Sequence, residues 1–198
     1  MIATDISKEQ LELAQKHPKV TYALAPPVMT DQELSSIVGE AGSVDLVTVA
    51  IAVHWFDLNT FYAQVKRVLR KPGGVIAVWA YTKPSVSPAV DEVFGRFFER
   101  ILPFFEPCAR WVFEEYRTLH FPFSPHPAAG GKAVIELEIE ETRTLEEYLS
   151  FFKTWSALVN SEDLLSDDFV RQFEEAWGGP PHLDRTVKFP LFLKLGVV

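Results

Sequence analysis

The chain has 198 residues, of which 47% are apolar and 13% aromatic, and its formal net charge is −8. This composition excludes global disorder and supplies enough apolar side chains for a sizeable core. The acidic balance argues against non-specific nucleic-acid binding, which needs a basic surface to neutralise phosphates. The length predicts a single domain that spans residues 1–198.

The cysteine count and the hydropathy pattern bear on the compartment. Cys108 is the only cysteine, so no disulfide can form within the chain. The sequence shows no charged-then-apolar signal pattern and no N-x-S/T sequon. No apolar run approaches the roughly 18 residues of a membrane span. These features predict no membrane association and a reducing compartment, the cytosol.

Four apolar segments predict the strands of a parallel sheet in residues 1–82. They are Met1–Asp5, Val20–Leu24, Val44–Val53 and Val75–Trp79. The third is β-branched with almost no alternation, which is typical of a strand covered on both faces. Helical segments begin near Ser7, Asp31 and Asp57, so strand and helix repeat about every 25 residues, as in right-handed crossovers of a parallel α/β fold.

Residues 83–198 predict a helical, aromatic lid and C-terminal strands. Helices are predicted around Val90–Ile101, from Thr144 to Trp155 with a capping box at its start, and around Phe169–Trp177. The Pro-rich stretch Pro103–Pro127 between the first two helices is predicted to be irregular. Apolar and acidic residues alternate in Ala133–Glu140, which predicts a strand with one solvent-exposed face near a sheet edge. Pro190 predicts an edge or a bulge in the last strand, Thr186–Val197.

Chemistry-bearing residues follow several predicted strands. Open parallel sheets bind ligands outside the carboxyl ends of their strands. Asp5 could accept hydrogen bonds from two ribose hydroxyls, Ile6 could lie against a base, and His54 could act as a general base or a donor. Position alone leaves Asp5 equally open to a second interpretation, as the acid that initiates the helix before Ser7.

Three segments carry a resemblance to a known family: Ile2-Ala3-Thr4-Asp5-Ile6-Ser7, then Val44–Asp57 with its His-Trp-Phe-Asp run, then Arg67–Trp79 with its Leu-Arg-Lys-Pro-Gly-Gly lead-in. They resemble the class I S-adenosylmethionine-dependent methyltransferases, in particular the type 11 branch that includes trans-aconitate methyltransferase-like proteins. Thr154-Trp155-Ser156 also fits that branch. The resemblance covers nearly the whole chain. It implies a Rossmann-like sheet, a lid insertion and a C-terminal antiparallel strand pair.

The resemblance also implies an activity and a set of site residues. The expected activity is methylation of a small organic molecule, with a carboxylate as one acceptor class and S-adenosylmethionine as the cofactor. The residues expected at the cofactor are Asp5 at the ribose, Ile6 beside the adenine, Ala50 near the methionine moiety, and His54. The residues expected at the substrate cavity are Trp55, Trp79, Trp155 and Ser156. Trp79 and Trp155 are also interpretable as core aromatics.

The sequence departs from the family's pattern at one point. The family's first strand ends in a glycine-rich turn near the cofactor, and this chain contains no G-x-G-x-x-G or similar run. We therefore expect an N-terminally truncated fold that lacks the first strand and helix, with a gap between two half-sheets and weakened cofactor binding. Exposed sheet edges favour a homodimer or pairing with a partner. The alternative function is a non-catalytic remnant that serves as an interaction or regulatory module.

The remaining polar candidates have simpler interpretations. Cys108, His120 and His126 lack the paired spacing of zinc ligands, so no metal site is predicted. The acidic residues of the predicted strand Ala133–Glu140 indicate a solvated face. No catalytic base is assigned: a carboxylate acceptor needs none, and for a hydroxyl acceptor His54 is the first candidate.

Overall fold

The computed structural model describes residues 1–159, 164–180 and 182–198. Its strands are β1 (Ile2–Asp5), β2 (Thr21–Leu24), β3 (Leu46–Ala50), β4 (Val75–Tyr81), β5 (Ser124–Pro125), β6 (Ile135–Arg143) and β7 (Arg185–Val197). Its α-helices are α1 (Lys8–Leu13), α2 (Asp31–Ile37), α3 (Leu58–Val68), α4 (Pro88–Ile101), α5 (Arg110–Phe113), α6 (Leu145–Lys153), α7 (Ser156–Val159) and α8 (Asp167–Trp177). Most of the segment between α4 and β6 consists of short 3₁₀ turns and loops, as its prolines predict.

The strands in the described residues form two sheets. β1 and β2 make a parallel pair in which Ile2 lies opposite Thr21 and Asp5 opposite Leu24. The other sheet has the order β3-β4-β7-β5, with β6 also paired to β7. β5 and β6 both run antiparallel to β7, so the predicted C-terminal antiparallel pair is confirmed. The fold is α/β with a mixed sheet.

The chain divides into two compact units. Unit 1 contains Met1–Val78, His120–Ala133 and Lys194–Val198, and unit 2 contains Trp79–Leu119 and Val134–Leu193. The division passes through β4 and β7, because each of these strands contributes residues to both units.

Two predicted helix starts are confirmed by their caps. The side chain of Asp57 accepts a hydrogen bond from the backbone N–H of Thr60 at 2.8 Å, at the start of α3. At the start of α6, Thr144 and Glu147 form a complete capping box. These contacts satisfy N–H groups that have no partner within the first helical turn, which is why these residue types begin the helices.

An aromatic cluster joins distant segments within unit 1. The ring of Tyr62, on α3, lies 6.1 Å from the ring of Phe121 and 5.4 Å from that of Phe123. The Tyr62 hydroxyl donates to the carbonyl of His120 at 2.9 Å. The ring of Phe121 and the Cβ of Phe123 cover Gly196 on β7, where a side chain would have no room. Ring packing and one partly buried hydrogen bond therefore hold the loop after His120 in place.

The amino-terminal part of unit 1 has little core. The first buried residue in the chain is Leu34. β1, α1 and β2 together bury no side chain, whereas Ile2, Ile6 and Leu24 are 42%, 65% and 53% exposed. A two-stranded sheet without an apolar core is marginal in water.

The expectation that Val44–Val53 is covered on both faces is wrong. Val49 is buried, but Leu46 is 52% exposed and Thr48 and Ala50 are also exposed. Alternate side chains of a strand point to opposite faces. Among the described elements, β3 pairs only with β4 in its sheet, and its even-numbered face meets solvent.

The core of unit 2 is built mainly from aromatic side chains of α4, α6 and α8. Phe152, which has no exposed surface, lies within 6.2 Å of six other aromatic rings. Those rings belong to Phe94, Phe97, Tyr148, Phe151, Trp155 and Phe173. Such pairs stabilise a core beyond the area that they bury. The apolar stripes of the predicted helices therefore converge on one cluster.

Two predictions about the C-terminal strands are corrected. β7 is not an edge strand, because β4 and β5 flank it and β6 also pairs with it. Pro190 is tolerated there, and its carbonyl accepts from the N–H of Thr82 at 3.1 Å. β6 does lie at an edge of the described sheet, but its apolar side is not covered, since Leu137 is 50% exposed.

Candidate functional site

Asp5 lies at the carboxyl end of β1, as predicted. One carboxylate oxygen, Oδ1, accepts a hydrogen bond from the backbone N–H of Ser7 at 2.8 Å, and Ser7 in turn caps α1. The structure gives the second oxygen no donor among the residues it describes. One oxygen therefore shapes the helix start, as the second interpretation predicts, and the exposed residue keeps its other oxygen as an acceptor. Ribose binding by Asp5 stays a prediction.

A depression in unit 1 adjoins this carboxylate. It has a volume of about 320 Å³ and is lined by side chains of β1, α1 and β2, among them Thr4, Asp5, Gln10 and Tyr22. Ile6 follows β1 directly and is 65% exposed. An acidic acceptor, a hydroxyl, an amide and apolar surface therefore lie within reach of one ligand-sized space.

The carboxyl end of β3 has an unusual backbone. Ala50, the last residue of the strand, is exposed, and Ile51 adopts a left-handed conformation with a φ of 50°. A β-branched residue in that region is strained, at a cost of about 1–3 kcal/mol. Strained conformations of this kind concentrate at functional sites. The sequence carried no signal for this feature, because isoleucine disfavours it.

His54 follows within a 3₁₀ turn, Val53–Trp55, and is only 6% exposed. Its burial lowers the pKa of the imidazole to about 4. At neutral pH the ring is therefore neutral, and in this environment it is a weak base. The ring of Trp55 lies 5.3 Å away and is half exposed, so the pair joins a buried imidazole to a surface indole.

The other residues predicted at the substrate cavity belong to unit 2. Trp79 is a half-buried residue of β4, and Ser156 is exposed at the first position of α7. The ring of Trp155 lies 5.1 Å from that of Phe152 and 5.6 Å from that of Phe151. These ring contacts favour the core interpretation of Trp155. Its place at a substrate cavity stays a prediction, as do those of Trp79 and Ser156.

No group of three or more His, Cys, Asp or Glu side chains in the described part of the chain could hold a metal ion. The described helices also include none that is long and apolar enough to cross a membrane.

The comparisons with known proteins agree on one class. A family model described as a methyltransferase domain matches residues 1–78. A solved structure from Anaeromyxobacter dehalogenans, described as a type II methyltransferase, is 33% identical to this chain, with a TM-score of 0.78. That alignment covers 99% of this chain and 79% of the solved chain.

Two curated proteins are also similar. A Dictyostelium discoideum protein named as a methyltransferase is 25% identical over 209 residues, covering 98% of this chain and 73% of that protein. A Saccharomyces cerevisiae protein named as an S-adenosylmethionine-dependent methyltransferase is 35% identical over 91 residues, covering 42% of this chain and 29% of that protein. The α/β fold and an acid after a parallel strand fit this class. The chain belongs to the class I S-adenosylmethionine-dependent methyltransferases.

Proposed function

We propose that this chain binds S-adenosylmethionine and directs methyl transfer to a small organic molecule that carries a carboxylate. The observation that carries the proposal is the free oxygen of Asp5, at the end of a parallel strand and beside a depression of about 320 Å³. The net charge of −8 supports a small acceptor over a nucleic acid. Within the family we propose the type 11 branch with trans-aconitate methyltransferase-like proteins, and a cytosolic location.

The residues present fit the cofactor at its ribose end. Asp5 would accept from ribose hydroxyls, and the exposed side chain of Ile6 would cover a face of the adenine. Ala50 is exposed and carries only a methyl group, so the backbone at the end of β3 is open to close approach. The bound cofactor supplies an activated methyl group on sulfur, so the protein's part is mainly positioning.

The acceptor determines whether a base is needed. A carboxylate is already deprotonated at neutral pH and attacks without one. A hydroxyl acceptor would need a base, and His54 would be the candidate, neutral but weak because it is buried. The structure therefore supports the carboxylate acceptor better than the hydroxyl.

Removing the free oxygen of Asp5 is expected to weaken cofactor binding about tenfold or more, because a hydrogen bond to a charged group contributes roughly 1.5–3 kcal/mol. We expect this loss for Asp5→Ala and for Asp5→Asn, which keeps an acceptor for the Ser7 N–H. Calorimetric titration with S-adenosylmethionine measures it. Asp45→Asn is the matched control, since Asp45 is an exposed acid directly before a strand rather than after one.

We also propose that residues 1–198 bind the cofactor more weakly than a chain in which a strand and a G-x-G turn precede β1. The same titration on such an extended chain compares the two affinities.

Equal loss of affinity in the Asp5 and Asp45 variants would reject the assigned role of Asp5. If neither the chain nor its extended form binds the cofactor, the methyltransferase proposal fails and a non-catalytic role remains.

We further propose that the chain self-associates through the β3 edge. Edge strands of soluble proteins are usually protected by charges or prolines. β6 is protected in this way: its Glu138 and Glu140 both pair with Lys188 at 2.9 Å. β3 has the sequence Leu-Val-Thr-Val-Ala and carries no charge. An uncharged, apolar edge is a template for strand pairing with a second copy.

A charge on β3 is expected to weaken this association. Leu46 and Leu137 are 52% and 50% exposed, each on a strand at an edge of the described sheet. We expect Leu46→Lys to weaken the dimer at least tenfold, since burying an unpaired charge is costly, and Leu137→Lys to leave it unchanged. Sedimentation equilibrium over a range of concentrations measures both. A chain that stays monomeric throughout that range would contradict the proposal.

A further inference from the structure

We propose that Arg143 and Tyr81 form a binding site for the carboxylate group of the methyl acceptor. The inference rests on the proposed function, because it assigns to unit 2 the recognition of that acceptor. Both residues belong to unit 2: Arg143 ends β6 and Tyr81 ends β4.

Aromatic rings hold the guanidinium of Arg143 in place. Its Cζ lies 5.0 Å from the ring centroid of Phe151 and 5.1 Å from that of Phe189, and the side chain is 21% exposed. A cation this close to ring faces is attracted to them, more so when it is partly desolvated. The packing also orders a side chain that is otherwise flexible. A guanidinium that is already ordered loses less entropy when it binds a planar anion.

The hydrogen-bond pattern leaves donors available. Arg143 uses Nε and Nη2 to donate to a single oxygen of Glu141, at 2.8 and 2.5 Å. Its third nitrogen, Nη1, has no acceptor in the described part of the protein. The hydroxyl of Tyr81 likewise has no hydrogen-bond partner among the residues described. Both donors therefore remain available to a ligand.

Tyr81 shares the same aromatic wall. Its ring lies 5.9 Å from that of Phe151 and 5.5 Å from that of Phe189, the two rings that flank Arg143. Burial raises the pKa of Tyr81, the positive charge of Arg143 lowers it and the negative charge of Glu141 raises it. The hydroxyl therefore stays protonated at neutral pH, as a donor on a ring that packs against the same two rings as the guanidinium.

These donors fit a carboxylate. A guanidinium edge and a neighbouring O–H present hydrogens to both oxygens of a planar anion. Glu141 is 45% exposed and occupies part of the guanidinium, so it competes with the ligand and reduces the local charge. Removing that carboxylate should tighten anion binding, whereas a merely structural ion pair predicts no such gain. If the site instead binds an ammonium group, Glu141 and the rings would hold it. Removing the Glu141 carboxylate should then weaken the binding of that ligand.

The test uses citrate as the carboxylate probe on the 198-residue chain at constant ionic strength, without cofactor. Calorimetry measures affinity, and tryptophan fluorescence gives a local readout, because the ring of Trp155 lies 5.6 Å from that of Phe151. Loss of a charge-assisted hydrogen bond predicts at least about tenfold weaker binding for Arg143→Gln, and a smaller loss for Tyr81→Phe. We expect Glu141→Gln to bind citrate several-fold more tightly.

The control is Arg117→Gln, since Arg117 is also paired with glutamates, Glu115 and Glu136, but is 51% exposed. It should bind citrate like the native chain, and circular dichroism verifies that each variant is folded. The proposal is overturned if citrate does not bind, if the Arg143 and Arg117 variants lose affinity equally, or if choline binds more tightly than citrate. Cofactor binding is scored separately: its absence, with citrate binding intact, rejects the proposed function and leaves Arg143 and Tyr81 as a carboxylate site with no role in methyl transfer.

Discussion

Replacing Gly196 by alanine is expected to lower the free energy of unfolding by about 3 kcal/mol, the upper part of the range for overpacked cores. An added Cβ would lie 2.4 Å from the Cβ of Phe123 and 2.8 Å from Cε1 of Phe121. The Phe123 Cβ is attached to the backbone, so a change of rotamer cannot move it away. The loop after His120 must therefore shift, and the packing around Tyr62 must shift with it.

The matched control is Gly95→Ala. Gly95 is an exposed residue inside α4, and an added Cβ there meets nothing within 4 Å. This substitution should stabilise the protein by about 0.5–1 kcal/mol, because alanine loses less backbone entropy in a helix. Urea denaturation with unchanged m-values measures both effects. If the two variants shift stability in the same direction, the close packing around Gly196 is refuted.

Lowering the pH from 7.5 to 5 is expected to remove about 2 kcal/mol of stability through His54 alone. Burial lowers the folded-state pKa of His54 to about 4 from its ordinary value of 6.5. Between these two values the unfolded state binds a proton that the folded state does not. The contribution is therefore fully present above pH 6.5 and is lost as the pH falls from there towards 4.

His54→Gln should flatten this part of the pH profile, because glutamine does not titrate. His182→Gln is the control, since it removes an exposed histidine, and the difference in slope between the two variants isolates the effect of burial. Denaturant midpoints at pH 5, 6 and 7.5 give the slopes directly. Parallel profiles for the native chain and the His54 variant would show that the imidazole titrates normally and is not desolvated.

The local elements could be predicted because their signals lie within a few residues. Asp57 and Thr144 began their helices as predicted, and the alternation in Ala133–Glu140 marked a strand. The pairing of strands in a sheet depends instead on segments that are far apart in sequence. β7 lies between β4 and β5, and nothing near Pro190 indicates those neighbours. For the same reason the exposure of Leu46 was not predictable from an apolar run.

The candidate site also combines features that a local sequence pattern predicts with features that arise only from tertiary packing. An acid directly after an apolar strand was enough to predict the place of Asp5. The left-handed backbone at Ile51 had no signal, since that residue type disfavours it. Arg143 and Tyr81 come together only because β6 and β4 bring them to the rings of Phe151 and Phe189. The burial of His54 likewise depends on tertiary packing.

The sparse core at the amino end has a consequence for ligand affinity. The first 33 residues bury no side chain, so their ordered form is only weakly favoured over locally open ones. A ligand that binds beside Asp5 must bind the ordered form. Its apparent dissociation constant is the intrinsic one divided by the fraction of molecules in which this segment is ordered. Substitutions or partners that order this segment would therefore tighten binding without touching the ligand.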